Sequence, residues 1–270
     1  MLHIGYVLLL DRFDEEDSEY DSLEIYDDEA MTQTATYPHA VTVVQFDEHG
    51  WAMRQETTFE NGEVSTITYD SEHDGIHTFH VGKNAVVTYS EVHYGEGEGE
   101  GKRILNPQTI LYLEEGARVT LESTQIRGVD DTKRYTKAVL KGENAEFIVQ
   151  EKLLTHGDQK ADSVMDVFLD GENSSCRVIS RSVAQDESTQ TFYPRVVGNT
   201  ACFGHVQCDS IIMGKAKVRS IPEISCNHVD AGLIHEAAIG KIAGDQILKL
   251  QTLGLSYEEA EEKILEGFLR

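Results

Sequence analysis

From about residue 80 the chain alternates apolar and polar positions in short runs, and a glycine opens each run. Gly82-Lys-Asn-Ala-Val, Gly116-Ala-Arg-Val, Gly142-Glu-Asn-Ala-Glu-Phe, Gly171-Glu-Asn-Ser-Ser-Cys and Gly198-Asn-Thr-Ala-Cys look like versions of one unit, their glycines 34, 26, 29 and 27 residues apart. Behind each glycine every second side chain is apolar, as at Ala145, Phe147 and Val149, or Cys176 and Val178. That period marks a strand with one buried face, the glycine serving a turn. A unit this short cannot bury its own apolar face, so neighbours must stack. With no helix between units, the pattern predicts a mainly β fold built as a β-helix or a stacked, sandwich-like solenoid. A plain antiparallel sandwich with Gly-Asn turns is the alternative.

The spacing changes at the C-terminal end. Asp245–Leu253 carries apolar residues at Ile247, Leu248 and Leu250, and Gly254 suits the left-handed position that closes a helix. Ser256-Tyr-Glu-Glu259 has the form of a capping box, with Ala260, Ile264, Leu265 and Phe268 as one stripe behind it. Two short helices in a hairpin follow. At the other end, Leu2–Leu10 is too short to span a bilayer and lacks basic flanks and a small-residue cleavage site, so it reads as a buried strand. Leu23–Tyr26 and Val41–Phe46 read as strands between charged turns, or else the region is an acidic tail. Gly95–Gly101 alternates glycine with glutamate and reads as a mobile loop. Three regions result: a β-rich segment over 1–80, a β-helix core over 81–233 and a helical region over 234–270.

The formal net charge of −25 argues against nucleic acid and against anionic lipid, both of which need a basic face. Four cysteines without a pairing framework indicate a reducing compartment, and the expected location is cytoplasmic. There is no nucleophile elbow, phosphate-binding glycine loop or close-spaced zinc pair, so the chain is not expected to be an enzyme.

Candidate chemistry concentrates between His205 and Gln246, where Cys208, Cys226, His205, His228, His235 and Glu236 fall close together. Thiolate, imidazole and carboxylate are the ligands of iron, zinc and iron–sulfur clusters. Cys208 and Cys226 are eighteen apart, with no Cys-x-x-Cys knuckle, which opposes a closed structural zinc site. Each residue also has a plainer reading. A strand cysteine such as Cys208 is often a buried hydrophobe, and Cys176 and Cys202 sit at inward-alternating positions as core residues. Cys226 and His228 read first as packing. His205 is either a surface residue or a second-layer partner of Cys208. Glu236 is either a ligand or a solvated charge near a helix start. His73, His77 and His80 have no ligand spacing and read as surface residues.

The wording of this stretch resembles the C-terminal core of the SufB/SufD family, the scaffold subunits of the SUF iron–sulfur cluster assembly machinery. The resemblance rests on Gln207-Cys208-Asp209-Ser210, Met213-Gly214, Pro222-x-Ile224, His235-Glu236-Ala237, Lys241-Ile242 and Asp245-Gln246. It continues through Leu253-Gly254-Leu255-Ser256 and Glu258-Glu259-Ala260 to Gly267-Phe268. It implies a right-handed β-helix core and a short, B-like member. Cys208 then stands at the position of the B-type acceptor thiol, and His235 and Glu236 at positions of the B-type Glu-His-Glu word. Ile234 replaces the first acidic residue of that word, and Leu233 stands where the D-type paralogue has cysteine.

By the same resemblance, Cys208 accepts sulfur, and Cys208, His235 and Glu236 hold a transient iron–sulfur cluster, with Cys226, His228 and His205 as weaker candidates. The implied partners are a SufC-type ABC ATPase, a second copy or a paralogous subunit in a dimer, a sulfur donor and apo-protein acceptors. The ATPase would dock on the helical hairpin through Leu253, Leu255, Glu258, Glu262 and Phe268. Two rivals stand beside this reading: a D-like structural subunit without its own cluster, and a β-helix carbohydrate-active enzyme.

Overall fold

A computed structural model describes residues 9–10, 23–27, 32–37, 40–46, 52–62, 64–70, 75–94 and 102–269. Residues 2–8 of the strand predicted at Leu2–Leu10, the loop predicted at 95–101, and His73 lie outside those residues, while Leu9–Leu10 form a short strand. The fold is mainly β, a solenoid of about five turns followed by two helices. Strands Val64–Asp70, Val86–Tyr94, Arg118–Arg127, Glu146–Thr155, Ser175–Ala184, Phe203–Ile212 and Gly232–Gly240 stack in parallel as one sheet. Strands Ala52–Phe59, Ile76–Val81, Gln108–Leu113, Asp131–Leu140, Lys160–Leu169 and Thr189–Gly198 stack in parallel as the other. Lys217–Ser220 and Glu223–Cys226 then pair with successive halves of Thr189–Gly198. Pro222 divides them, since it has no amide hydrogen for the ladder.

The N-terminal strands Leu23–Asp27, Thr32–Tyr37 and Ala40–Phe46 extend the second sheet as an antiparallel meander. The solenoid registers therefore begin near residue 54, within the segment expected to precede the core, and run on to Gly240. His235-Glu-Ala-Ala was expected at the edge of the helical region. It is instead a strand, because in-register pairing with Phe203–Ile211 satisfies its backbone.

The repeat is real, but its phase is set by a small corner residue and not by glycine. Ala85, Ala117, Ala145, Ser174, Cys202 and Ala231 each stand immediately before a strand of the first sheet, at intervals of 32, 28, 29, 28 and 29 residues. Glycine precedes the corner by three residues at Gly82, Gly142 and Gly171, but by one at Gly116 and by four at Gly198. The left-handed turn residue is usually asparagine, with φ of 56°, 59° and 57° at Asn84, Asn144 and Asn173, while Gly116 takes that place at 66°. Gly142 and Gly171 serve close stacking instead. A Cβ on Gly142 would meet Glu115 N at 1.9 Å, and one on Gly171 would meet Gly142 O at 1.9 Å.

Inward positions near the start of each first-sheet strand are apolar and form the core together with Phe79 of the second sheet, and Phe79, Tyr89, Val119, Leu121, Phe147, Val149 and Val178 are essentially sealed from solvent. Midway along each strand the interior turns polar. Glu91, Ser123, Glu151, Ser180 and Cys208 occupy one continuous inward column in successive registers. Arg134, Ser163, Phe192 and Ser220 form the column on the second sheet. The two helices are α1 (Gly244–Gln251) and α2 (Tyr257–Leu269). Both predicted signals hold: Ser256 and Glu259 cap reciprocally at 2.7 and 3.1 Å, and Gly254 has φ of +97°. Ile247 and Ala260 are buried, the two helices packing on each other and α2 on the strand Ser175–Ala184, whereas Leu248 and Leu253 are exposed.

Candidate functional site

Alternation along Phe203–Ile212 points Gly204, Val206, Cys208 and Ser210 inward and His205, Gln207 and Asp209 outward. On the terminal strand Gly232–Gly240, the register aligns His235 with Val206 and Ala237 with Cys208. His235 shares the inward phase and leans toward Cys208, two positions along in the register, so that its Nε2 lies 3.3 Å from Cys208 Sγ. Cys208 is buried, with 3 % of its surface exposed, while His235 is half-buried because among the described residues no further strand covers it.

Glu236 takes the outward phase, and its carboxylate lies 2.9 Å from His205 Nε2. The sequence-predicted set thus divides into an inner pair, Cys208 with His235, and an outer pair, His205 with Glu236, with the sheet between them. His205 is therefore no partner of Cys208. Cys226 and His228 are exposed at the corner before the terminal strand, away from both pairs, and His228 Nδ1 accepts from the Asp230 amide at 3.1 Å. Cys176 and Cys202 are buried, as their alternation predicts.

Burial pushes the Cys208 thiol up to about 11; the Ser220 hydroxyl facing the sulfur works against this, and the carboxylates of Glu151 and Asp209 add to it. The resting sulfur is a thiol, which must lose its proton before it attacks sulfur or binds metal. Burial lowers His235 below the usual histidine range, with His205 adding to that and Glu236 opposing it. A neutral imidazole beside the sulfur can accept a thiol proton or bind a metal. Among the described residues no three histidine, cysteine or acidic side chains converge on one point.

The sequence reading missed the polar interior behind Cys208. Glu151 accepts from Ser163 and Ser180, both at 2.7 Å. Arg134 lies between Glu91 and Glu151, with nitrogen–oxygen distances of 3.7 and 3.5 Å, and donates to Ser123. Glu91 also accepts from Tyr89 at 3.1 Å and lies 3.5 Å from His93. His77, read from sequence as a surface residue, is buried, because the alternation of Ile76–Val81 turns positions 77, 79 and 81 inward. Burial, opposed by Glu91, brings it down to about 4. Charged residues in the inward phase at 91, 134 and 151 were the available signal.

Comparison with known proteins decides the family. Residues 29–268 match the SUF system FeS cluster assembly, SufBD core domain. The chain belongs to the SufBD family. An iron–sulfur cluster assembly SufBD family protein of Methanothermobacter thermautotrophicus is 30 % identical over 224 residues, covering 78 % of this chain and 53 % of that one. One from Methanocaldococcus jannaschii is 29 % identical over 190 residues, covering 70 % and 60 %. A chloroplastic one from Arabidopsis thaliana is 29 % identical over 213 residues, covering 75 % and 38 %. The chain thus spans about half the length of the curated relatives it matches. None of the helices among the described residues is long and apolar enough to cross a membrane.

Proposed function

We propose that this SufBD chain works in SUF iron–sulfur cluster assembly as a B-like scaffold, with Cys208 as its sulfur acceptor. The observation that carries the reading is the inner pair, a buried thiol 3.3 Å from an imidazole on the terminal strand of the solenoid among the described residues. The Cys208 thiol passes its proton to His235, and the thiolate attacks the outer sulfur of a donor persulfide. The donor's sulfur–sulfur bond breaks, the donor leaves as a thiol, and Cys208 keeps the transferred sulfur as a persulfide. Iron then finds a soft sulfur ligand with His235 beside it.

Two donors do not close the shell of an iron, so a nascent cluster needs ligands from a second chain, either another copy or a paralogue. Glu236 would join only from the outer face, around the edge of the terminal strand. The protein acts in the cytoplasm and carries no turnover chemistry of its own. A SufC-type ATPase docks on the helical hairpin, where Leu253 stands exposed and Leu255 and Phe268 are half-buried, and apo-proteins take the finished cluster.

The D-like reading, a structural subunit with no cluster, makes the opposite prediction in one experiment. Anaerobic incubation with ferrous iron and sulfide, followed by desalting, should leave the visible absorbance of an iron–sulfur cluster on the parent and none on Cys208→Ser. A hydroxyl fits the thiol's space but is a poor soft-metal ligand. Equal retention by the variant removes Cys208 from the role, and no retention by the parent with any SUF partner present favours the D-like subunit.

A further inference from the structure

Cys226 is the register partner of Gly198 on adjacent parallel strands. A Cβ on Gly198 would come 2.8 Å from Cys202 Sγ, so the missing side chain leaves a hollow toward which that sulfur leans. Partners in a parallel ladder direct their side chains to the same face, so Cys226 points into the same corner about one strand spacing, roughly 4.8 Å, further along the axis. Asn227 donates to Asn199 at 2.7 Å and holds the two turns together at this corner. The thiols also interact electrostatically: after burial, the negative charge of Cys226 contributes to raising Cys202 above the ordinary cysteine value. One thiol is exposed at Cys226 and the other buried at Cys202, with 8 % of its surface accessible.

We propose that Cys202 and Cys226 are a reversible dithiol–disulfide pair that closes on reaction with a small-molecule disulfide. Cys226 as thiolate attacks the small disulfide, forms a mixed disulfide and releases one small thiol. Cys202 then gives its proton to water and attacks the Cys226 sulfur, forming the internal bond and releasing the second thiol. Two protein thiols are oxidised, and one external disulfide is reduced to two thiols. The exposed residue starts the exchange and the buried one resolves it, matching their accessibility. The bond would tie the turn carrying Cys208 to the turn carrying His235, fixing the spacing of the inner pair. The pairing itself stands on the corner geometry alone, whatever the role of Cys208.

The test is peptide mapping, without reduction, of the full chain after incubation with oxidised glutathione. The expected major species is a Cys202–Cys226 linked peptide that disappears on treatment with dithiothreitol. Cys226→Ser, an exposed change that leaves the core intact, should abolish it, while Cys208→Ser should retain it. Glutathione remaining on Cys226 without an internal bond, a Cys176–Cys202 linkage in its place, or no oxidation at all would each overturn the assignment.

Discussion

Arg134→Met tests whether the interior charges hold the middle of the solenoid together. Side-chain exposure is 6 % for Arg134, 0 % for Glu91 and 4 % for Glu151, so water screens none of them well. Methionine keeps much of the length and none of the charge, leaving two carboxylates in a dry interior. Removing one member of a buried ion pair costs about 3–5 kcal/mol. Hydroxyls of Ser163, Ser180 and Tyr89 still donate to the carboxylates, which places the expected loss near the lower limit, about 3 kcal/mol. At roughly 2–4 °C per kcal/mol for a domain of this size, the melting temperature should fall by about 6–12 °C.

The pH dependence fixes the cause. Without Arg134 the buried carboxylates lack their compensating cation, so their ionised form destabilises the fold at neutral pH. Proton uptake on acidification relieves that penalty. Urea unfolding followed by circular dichroism should therefore show a gap between parent and variant that is wide at pH 7 and narrower at pH 5. Adding Glu91→Gln and Glu151→Gln to the methionine variant should recover much of the loss. A gap under about 1 kcal/mol at pH 7, or one that does not change with pH, would refute the assignment of compensating charge to Arg134.

Three further outcomes follow from other parts of the molecule. In alkylation with iodoacetamide at pH 8, Cys226 should react first, and the Cys208 rate should keep climbing as pH rises toward about 11, where its thiol ionises; a plateau near pH 9 would contradict the burial argument. Gly142→Ala should lower the urea midpoint by more than an exposed Gly157→Ala control does, because its methyl meets the Glu115 backbone at 1.9 Å while Gly157 has open space. At the helices, Glu258→Lys with Glu262→Lys, both exposed, should weaken co-purification with the ATPase while the melting temperature stays nearly unchanged; undiminished co-purification would place the dock elsewhere.

Strand periodicity made most of the fold legible. Ala145, Phe147 and Val149 alternate inward as read, and Ser256 with Glu259 caps α2 as its spelling indicates. What misled was the choice of glycine as the repeat marker. Gly142 and Gly171 are required by rung-to-rung contact and Gly116 by φ, two demands that look alike in sequence. His235-Glu-Ala-Ala is good helix sequence, yet a neighbouring strand with open hydrogen-bonding groups outweighs local propensity. Cys208 and His235 were both named from sequence, but their opposition to Glu236 depends on the phase of two paired strands. The buried Arg134 and Glu151 went unnoticed although they share the phase of Leu140 and Val149, because a charge in an alternating run is ordinarily assigned to the outer face.

The position of Cys208 follows from where the polar column stops. Along the first sheet that column runs Glu91, Ser123, Glu151, Ser180, Cys208, and among the described residues the strand of Cys208 is the penultimate one, with a single strand beyond it. After Cys208 a single strand remains, and its inward residue in register is Ala237, too small to cover the sulfur, while His235 reaches across from two positions away. A thiol deeper in the column would be as desolvated and could meet no partner protein; a thiol on the terminal strand would lose the burial that keeps it protonated at rest. The penultimate strand gives both protection and reach. Under the cluster role proposed above, a second chain would complete the ligand set from the side of Cys208 that Ala237 leaves open, toward the exposed edge of the terminal strand, which carries Ile234 and Ile239 at 51 % and 45 % exposure. An unpaired edge with apolar side chains is a surface for another strand-bearing chain, and a partner seated there would bring its donors to the open side of the sulfur.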